Sequence, residues 1–302
     1  MLRTNGTDDR EVEMVKYRDS AQLDPSQMGG SRGGNGGKIA LGGGAGLIVL
    51  VLALLFGLNP NDLMGSQPQS DPQATGEAPY QQCTSGADIE RDRECRFVAY
   101  TNSIQSYWTG AYDKYQKIQV VPFTGQVSTA CGTASSAVGP FYCPGDTTVY
   151  LDTAFFDQLT SQLGAQGGDA AEAYVFAHEF GHHIQNLTGV MAKVQSQGAG
   201  ATGPRSGGVR LELQADCYAG VWMKHATSDP NSPIAEITRD DLTRAVDAAA
   251  AVGDDRIQER MQGQVRPESW THGSAEQRQK WLLQGFTTGD PNKCDTFAAG
   301  AL

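Results

Sequence analysis

A short pattern of histidine and glutamate constrains this chain more than any other feature. Residues 178–182 read His-Glu-Phe-Gly-His and lie within 170–187, a stretch without proline. Residues four apart on a helix lie on the same face, so His178 and His182 can share one zinc ion. Glu179 is turned about 100° aside, where it can hold and deprotonate a water at the metal. The pattern is short enough to arise by chance, and two ordinary histidines at helical spacing are the alternative.

The surrounding residues favour a helix with definable ends. Asp169, followed three residues later by Glu172, is a capping-box pattern with acidic side chains at a helix N-terminus. Gly189 offers a stop. The sequence therefore predicts one helix from about residue 170 to 187, with apolar side chains available to bury it.

A second predicted helix, which ends near Thr227, carries the best candidates for a third ligand. Glu212 and Asp216 are again four residues apart, so both can face the first helix. A catalytic zinc has three protein ligands and one open position, and Glu212 would complete a His-His-Glu set. Asp216 would then accept a hydrogen bond from the outer nitrogen of a ligand histidine. Direct ligation by Asp216 is the competing assignment, and an exposed acidic helix face is the plain alternative.

These residues resemble the neutral zinc metallopeptidases, a bacterial family with one N-terminal membrane span. The similarity covers essentially everything after about Arg91, and it rests on motifs at residues 131–132, 139–144, 149–152, 178–186, 212–217, 272–274, 276–278 and 289–291. The resemblance implies a zincin-like peptidase of the gluzincin type.

The fold class indicated by the chain is α+β, mainly helical with a small sheet. The patterns predict helices near 88–115, 153–163, 239–262 and 274–287 besides the two metal helices, and strands near 117–124 and 147–152. The segment between the two strands reads as an irregular loop that carries cysteines. In zincin-like enzymes the sheet edge beside the active-site helix pairs with extended substrate, and we expect that edge at residues 147–151.

Four regions follow from composition. Residues 1–38 hold six basic and six acidic side chains and end in a glycine-rich tract, which predicts a disordered cytoplasmic tail. Residues 39–58 are uncharged and long enough for one transmembrane helix, residues 59–84 read as a flexible linker, and residues 85–302 form the metallopeptidase domain. A secretory signal peptide is the rival interpretation of the apolar stretch.

Charge around the apolar stretch predicts its orientation. Arg32 and Lys38 precede it, whereas residues 59–80 contain no lysine or arginine. The positive-inside rule then gives a single-pass protein of the cell membrane, with its N-terminus in the cytoplasm and its catalytic domain outside. Because the tail is balanced and the span is neutral, the formal charge of −11 belongs to the external part and argues against a nucleic-acid partner.

Six cysteines all follow the apolar stretch, which suggests disulfides in an oxidising compartment. Six cysteines allow fifteen connectivities. We expect Cys131 to pair with Cys143, and Cys217 with Cys294, which leaves Cys83 with Cys95. A thiolate zinc site is disfavoured because no C-x-x-C pair exists.

Three histidines lie outside the helical pattern. His183 is rotated about 100° from its neighbour on a helix, so we expect it to be packed or hydrogen-bonded. His225 falls on the far side of the second metal helix and reads as structural or exposed. His272 lies in a loop before Gly273 and Ser274. It can return over the cleft as a catalytic donor to the developing oxyanion, or it can simply precede the next helix.

The reaction expected from these residues is hydrolysis of a peptide or protein substrate. Zinc would be held by His178, His182 and Glu212, and Glu179 would act as the general base. Two alternatives remain at this stage: a zinc-containing envelope module without catalysis, and a zinc amidase acting on cell-wall peptide. The sequence indicates no oligomeric state.

Overall fold

The computed structural model describes residues 15–30, 80–196 and 202–302. Nine α-helices occur in this part of the chain: α1 Asp88–Arg91, α2 Cys95–Ala111, α3 Phe155–Ser161, α4 Asp169–Leu187, α5 Val190–Ser196, α6 Gly207–His225, α7 Arg239–Ala251, α8 Asp254–Gln262 and α9 Ala275–Thr288. The strands are β1 Lys16–Tyr17, β2 Gln119–Phe123, β3 Gln126–Thr129, β4 Gly132–Ser135, β5 Phe141–Cys143, β6 Thr148–Asp152 and β7 Ile234–Glu236. The predicted α+β class with helices predominating is confirmed.

Helix α4 runs through the main core. Its side chains are buried along almost its whole length, and they pack against α2, α6 and α7. Phe97 of α2 stacks on Phe176 of α4 with ring centroids 5.4 Å apart. The histidine pattern therefore lies on a deeply buried helix, which limits how far its side chains can move.

The predicted capping box of α4 is wrong. The helix begins one residue earlier than a cap at Asp169 would require, with Gly168 as N-cap. Asp169 and Glu172 instead form ion pairs with Arg93 and Arg96 from the neighbourhood of α2. Those arginines outcompete a local cap because they neutralise carboxylates that are nearly buried.

The predicted helix near 239–262 is two helices. The helix is interrupted at Gly253, where a Cβ would meet the backbone of Ala275. The amide of Asp254 donates to the carbonyl of Gly273 at this point, which ties the start of α8 to the loop before α9.

Strand β6 is the centre of a three-stranded sheet of order β2-β6-β5. It pairs with β2 in parallel and with β5 antiparallel. The expectation that residues 147–151 form an exposed edge is therefore wrong, because both edges of β6 are paired. Strand β5 is the outer strand on the side of α4.

The segment predicted as an irregular loop contains a hairpin. Strands β3 and β4 pair antiparallel and cover one face of the sheet, with a small second core that includes Val127, Phe141 and Tyr150. Cys131 at the hairpin turn is bonded to Cys143 of β5. The other two disulfides, Cys83–Cys95 and Cys217–Cys294, complete the predicted pairing, which is confirmed.

Helices α6 and α9 cross at glycines. A Cβ at Gly220 of α6 would overlap the carbonyl oxygen of Leu282, and one at Gly285 of α9 would overlap that of Cys217. The two backbones can therefore approach closely only because both side chains are absent. The Cys217–Cys294 disulfide fixes the same pair from the C-terminal side.

Residues 15–30, which we call the N-terminal arm, pack on the domain. Strand β1 pairs antiparallel with β7, and Met28 bridges Val120 of β2. The prediction of a disordered tail is wrong for this part of residues 1–38. Residues 80–84 also belong to the domain rather than to a linker, since Tyr80 is buried and Cys83 is bonded to Cys95.

The predicted membrane span at residues 39–58 lies outside the described residues, as does the linker up to residue 79. Within the described residues, no helix has both the length and the apolar character needed to cross a bilayer.

Candidate metal centre

Helices α4 and α6 bring two imidazoles and one carboxylate together. The Nε2 atom of His178 lies 3.2 Å from one Glu212 oxygen, and Nε2 of His182 lies 3.6 Å from the other. One ligand atom from each residue lies within 4.8 Å of the other two, and all three side chains are buried. The structure thus places the three predicted ligands around one point where a metal ion can be held.

Gly181 allows α4 and α6 to pack closely enough for Glu212 to reach the imidazoles. A Cβ at this position would lie 2.9 Å from the Cα of Ala215, on the turn of α6 between Glu212 and Asp216. The glycine within the histidine pattern therefore has a packing reason, because any side chain would push the Glu212 carboxylate away from the imidazoles.

Each imidazole is oriented by a partner on its outer nitrogen. The Nδ1 atom of His178 lies 2.8 Å from Oδ1 of Asp216, as expected from the sequence. The Nδ1 atom of His182 lies 2.9 Å from Oε1 of Gln185. Both rings thus direct Nε2 at the centre, and such outer partners fix the tautomer that a metal requires.

Gln185 was missed by the sequence analysis, although its position three residues after His182 was a usable signal. Its amide nitrogen donates to the carbonyl of Leu211 and to Gln214, which in turn donates to the carbonyl of Cys294. The His182 ring is therefore oriented by a series of neutral amides, whereas the His178 ring is oriented by the charged carboxylate of Asp216.

The Asp216 carboxylate is paired with Arg278 of α9. The guanidinium donates from Nε and Nη2 to the two oxygens of Asp216, at 2.9 Å each, and the hydroxyl of Tyr174 donates to Oδ1 at 2.7 Å. Burial alone would raise the pKa of Asp216, but Arg278 and His178 lower it to about 2. Asp216 is therefore an ionised acceptor for His178, already saturated by its partners, which is the arrangement of an orienting group.

Glu179 faces the same cleft without a protein partner. Its side chain accepts no hydrogen bond from the part of the chain that the structure describes, although it is only 7 % exposed. Burial raises the pKa of this carboxyl, and the two ligand histidines act in the opposite direction. A buried carboxylate without a donor is costly, so its presence points to a use in the cleft itself.

His272 also lines this cleft, and its loop is anchored by Asp254. The amides of Thr271, His272 and Gly273 all donate to Oδ2 of Asp254, at 2.7, 2.7 and 2.9 Å. The other carboxylate oxygen lies 3.5 Å from Nδ1 of His272. Burial lowers the pKa of His272, but the Glu212 and Asp254 carboxylates outweigh it and raise the pKa above the ordinary value. Asp254 was also missed, because nothing in its local sequence marks it.

The remaining histidines have structural contacts, as expected. His183 lies between the hydroxyl of Tyr142 on β5 and the carbonyl of Gln116, at 2.9 and 2.8 Å. It thereby holds β5 beside α4. His225 stacks on Tyr107 and lies 2.9 Å from the carbonyl of Gly289.

Apolar side chains form the walls of the cleft beside the metal centre. The cleft measures about 790 Å³ with its open mouth included, and Phe141 of β5, Phe155 and Ile257 contribute to its walls. The cleft thus combines ionisable groups with apolar side chains that can contact an apolar group.

The two imidazoles and the carboxylate form a buried His-His-Glu cluster with the composition and spacing to hold a divalent metal ion. The family described as "Putative neutral zinc metallopeptidase" matches residues 12–297, and the chain belongs to this family. "Uncharacterized protein Rv2575" of Mycobacterium tuberculosis is 50 % identical over 257 residues, which cover 83 % of this chain and 86 % of the relative. "Uncharacterized protein YpfJ" of Escherichia coli is 39 % identical over 282 residues, covering 90 % and 93 %. No solved structure matches the chain.

Proposed function

We propose that this protein is a zinc-dependent peptidase, membrane-attached, with its catalytic domain outside the cytoplasm. The observation that carries the proposal is Glu179, a nearly buried carboxylate that shares a cleft with His178, His182 and Glu212. Among the described residues it has no hydrogen-bond donor. A purely structural metal site has no use for such a group. This favours a hydrolase over a non-catalytic envelope module.

The donor set fits zinc. Two imidazole nitrogens and one carboxylate oxygen are the ligands of many catalytic zinc sites, and they leave a fourth position for water. When bound, zinc supplies Lewis acidity, which lowers the pKa of water toward neutrality and polarises a carbonyl. His178, His182 and Glu212 would hold it.

The residues of the chain supply the proton transfers. Glu179 accepts a proton from the attacking water and later passes it to the leaving amine. Burial raises the pKa of Glu179, which strengthens this carboxylate as the base that accepts the proton from water. His272, anchored by Asp254, donates a hydrogen bond to the oxyanion that develops on the substrate carbonyl.

Strand β5 is the proposed docking edge for extended substrate. It pairs with β6 on one side, and among the described strands none pairs with its other side. Pro140, Phe141 and Tyr142 line the cleft, so a substrate strand added there would pass the metal centre. A peptide bond and a cell-wall amide fit this chemistry equally, and peptide is favoured because strand addition needs a regular peptide backbone.

The three disulfides support an extracytoplasmic domain, because such bonds persist in oxidising compartments. The net charge of −11 makes nucleic acid an unsuitable partner.

The test is Glu179→Gln in the full-length protein, assayed with a peptide library and for zinc content. We expect cleavage to be lost while one zinc per chain is retained and the fold is unchanged. Glu259→Gln, at an exposed position on α8, is the matched control and should retain cleavage. Cleavage by the Glu179→Gln protein would contradict the general-base role, and wild-type protein without zinc would contradict the metal assignment.

A further inference from the structure

We propose that the N-terminal arm and the catalytic domain lie in the same compartment, so that the apolar stretch 39–58 does not separate them. The sequence alone predicts the opposite, with the arm in the cytoplasm and the domain outside. The contacts of the arm carry the proposal, and they are independent of the catalytic activity.

Arg18 is the main polar anchor of the arm. Its guanidinium donates to the carbonyl oxygens of Ser232 and Ile234, at 2.7 and 2.6 Å, where the chain enters β7. Hydrogen bonds with a charged donor are stronger than those between neutral groups. In addition, the amide of Arg18 donates to the carbonyl of Pro233 at 2.9 Å.

Tyr17 contacts the start of α4, which lies at the same end of the antiparallel α4–α6 pair as the segment after α6. Its hydroxyl lies 2.9 Å from Oδ2 of Asp169, the first residue of α4, and 2.9 Å from the hydroxyl of Tyr100. Asp169 also binds Arg93. Two adjacent residues of the arm therefore contact the start of α4 and the segment after the end of α6.

The arm also contributes to the main hydrophobic core. Val15, Leu23 and Met28 are buried there, with Met28 only 1 % exposed. Burial of side chains of this size removes apolar surface from water and stabilises the docked arm. A cytoplasmic arm would leave these apolar positions of the domain open to water.

The domain is shaped to accept the arm. A Cβ at Gly86 would overlap the carbonyl oxygen of Arg18, so this position must be glycine for the arm to dock. The amide of Gly86 donates to the carbonyl of Ala21, and that of Leu23 to the carbonyl of Thr84, both at 2.9 Å. The family match begins at residue 12 and therefore includes the arm.

The length of the apolar stretch 39–58 limits how the chain can be arranged at a membrane. A stretch of twenty apolar residues crosses the roughly 30 Å core of a bilayer once and is too short to cross it twice. The arm and the domain cannot touch across that thickness. Contact between them therefore places residues 30 and 80 on the same side of a membrane.

Compartment labelling tests the proposal in intact cells that express the full chain. All six native cysteines are paired, so in an oxidising compartment a new cysteine is the only reactive thiol. The wild-type chain, treated in parallel, measures the labelling of native thiols in a reducing compartment. Ser20→Cys places it at an exposed arm position and Ser161→Cys at an exposed domain position. Each is treated with a membrane-impermeant maleimide before and after permeabilisation.

We expect the two positions to behave alike. Labelling of both in intact cells supports the shared compartment and the proposed external location. Labelling of both only after permeabilisation supports the shared compartment but refutes the external location. Labelling of position 161 in intact cells, with position 20 labelled only after permeabilisation, overturns the proposal.

Cross-linking tests the contact itself. Lys16 and Glu236 are register partners in the β1–β7 pair, close enough for a disulfide. The Lys16→Cys, Glu236→Cys protein should form a cross-link that a reducing agent breaks, whereas Lys16→Cys with Ser161→Cys should not. Absence of the first cross-link in folded, zinc-loaded protein would overturn the docking of the arm.

Discussion

Asp216 joins the metal centre to the rest of the molecule, because one carboxylate accepts from His178, Tyr174 and Arg278. Removing its charge leaves the Arg278 guanidinium, 3 % exposed, without a counter-ion. Breaking a buried ion pair costs about 3–5 kcal/mol, and loss of an orienting partner lowers metal affinity about 10- to 100-fold.

We therefore expect Asp216→Asn to weaken zinc binding by about 10- to 100-fold and to lower the free energy of unfolding by about 3–5 kcal/mol. Competition with a chromophoric chelator measures the first effect, and urea unfolding the second. Asp240→Asn removes an ion pair with Arg244 at a position 44 % exposed and should change stability by less than about 1 kcal/mol. Equal effects of the two substitutions would contradict the orienting role.

His272 predicts a pH dependence with a definite sign. Its pKa is raised, so the cationic form persists above the ordinary pKa of histidine and is lost as pH rises through the raised value. If His272 donates to the oxyanion, kcat should fall along that alkaline limb. His272→Gln should lower kcat about 100- to 1,000-fold with little change in KM, and should remove the limb.

Asp254→Asn separates this role from a structural one. Because the Asp254 carboxylate helps to raise the pKa of His272, its neutralisation should move the alkaline limb to lower pH. The pH profile of kcat measures the shift. An unmoved limb would mean that another group titrates there.

At the residue scale, the sequence predicted those site residues that lie four apart on one helix. The i to i+4 spacing places His178 with His182 on one helix face and Glu212 with Asp216 on another, and the structure brings the two pairs together. Arg278 and Asp254 could not be found in this way, since they reach the site from α9 and α8 through tertiary contacts.

At the scale of elements, α6 is positioned by the helix that packs behind it. The glycine contact between Gly285 and Cys217 sets the depth of α6, and α6 carries Glu212 and Asp216. Ala at position 285 would force the backbones apart, because a carbonyl occupies the space of its methyl group.

We expect Gly285→Ala to lower the free energy of unfolding by about 1–3 kcal/mol. It should also weaken zinc binding, since Glu212 moves with α6. Chemical denaturation and chelator competition measure the two effects. Gly110→Ala is the matched control: no atom lies within 4 Å of its Cβ, and in helix α2 it should stabilise by about 0.5–1 kcal/mol. Unchanged zinc affinity in the Gly285→Ala protein would contradict the coupling.

The limits of α4 and the end of α6 could be predicted to within a few residues at this scale, because helical periodicity is local. The breaks within the predicted helices 88–115 and 239–262 could not be predicted, and neither could strand pairing. The position of β6 between β2 and β5 depends on partners far apart in sequence, so a β-rich run at 147–151 does not reveal whether it is central or at an edge.

At the scale of the whole molecule, the arm is the part that composition misrepresents. Balanced charge and a nearby glycine-rich tract are typical of a disordered tail. Its anchors are single residues such as Tyr17, Arg18 and Met28, which form no periodic pattern and are recognised only from the surfaces they meet. The positive-inside prediction rests on only Arg32 and Lys38, whereas the docked arm makes main-chain, ionic and apolar contacts.

Zinc removal tests how the domain as a whole depends on its metal. Zinc would join α4 to α6, but Cys217–Cys294 and the core of α4 hold these helices independently. We therefore expect chelated protein to remain folded, unlike a small zinc finger.

Zinc at about 1,000 times its Kd should raise the free energy of unfolding by about 4 kcal/mol, or Tm by roughly 8–16 °C for a domain of this size. Calorimetry with EDTA and with added zinc measures this shift, which Glu212→Gln should greatly reduce. Unfolding on chelation would instead indicate a structural metal, and an unchanged Tm in the wild type would mean that the three side chains hold no zinc.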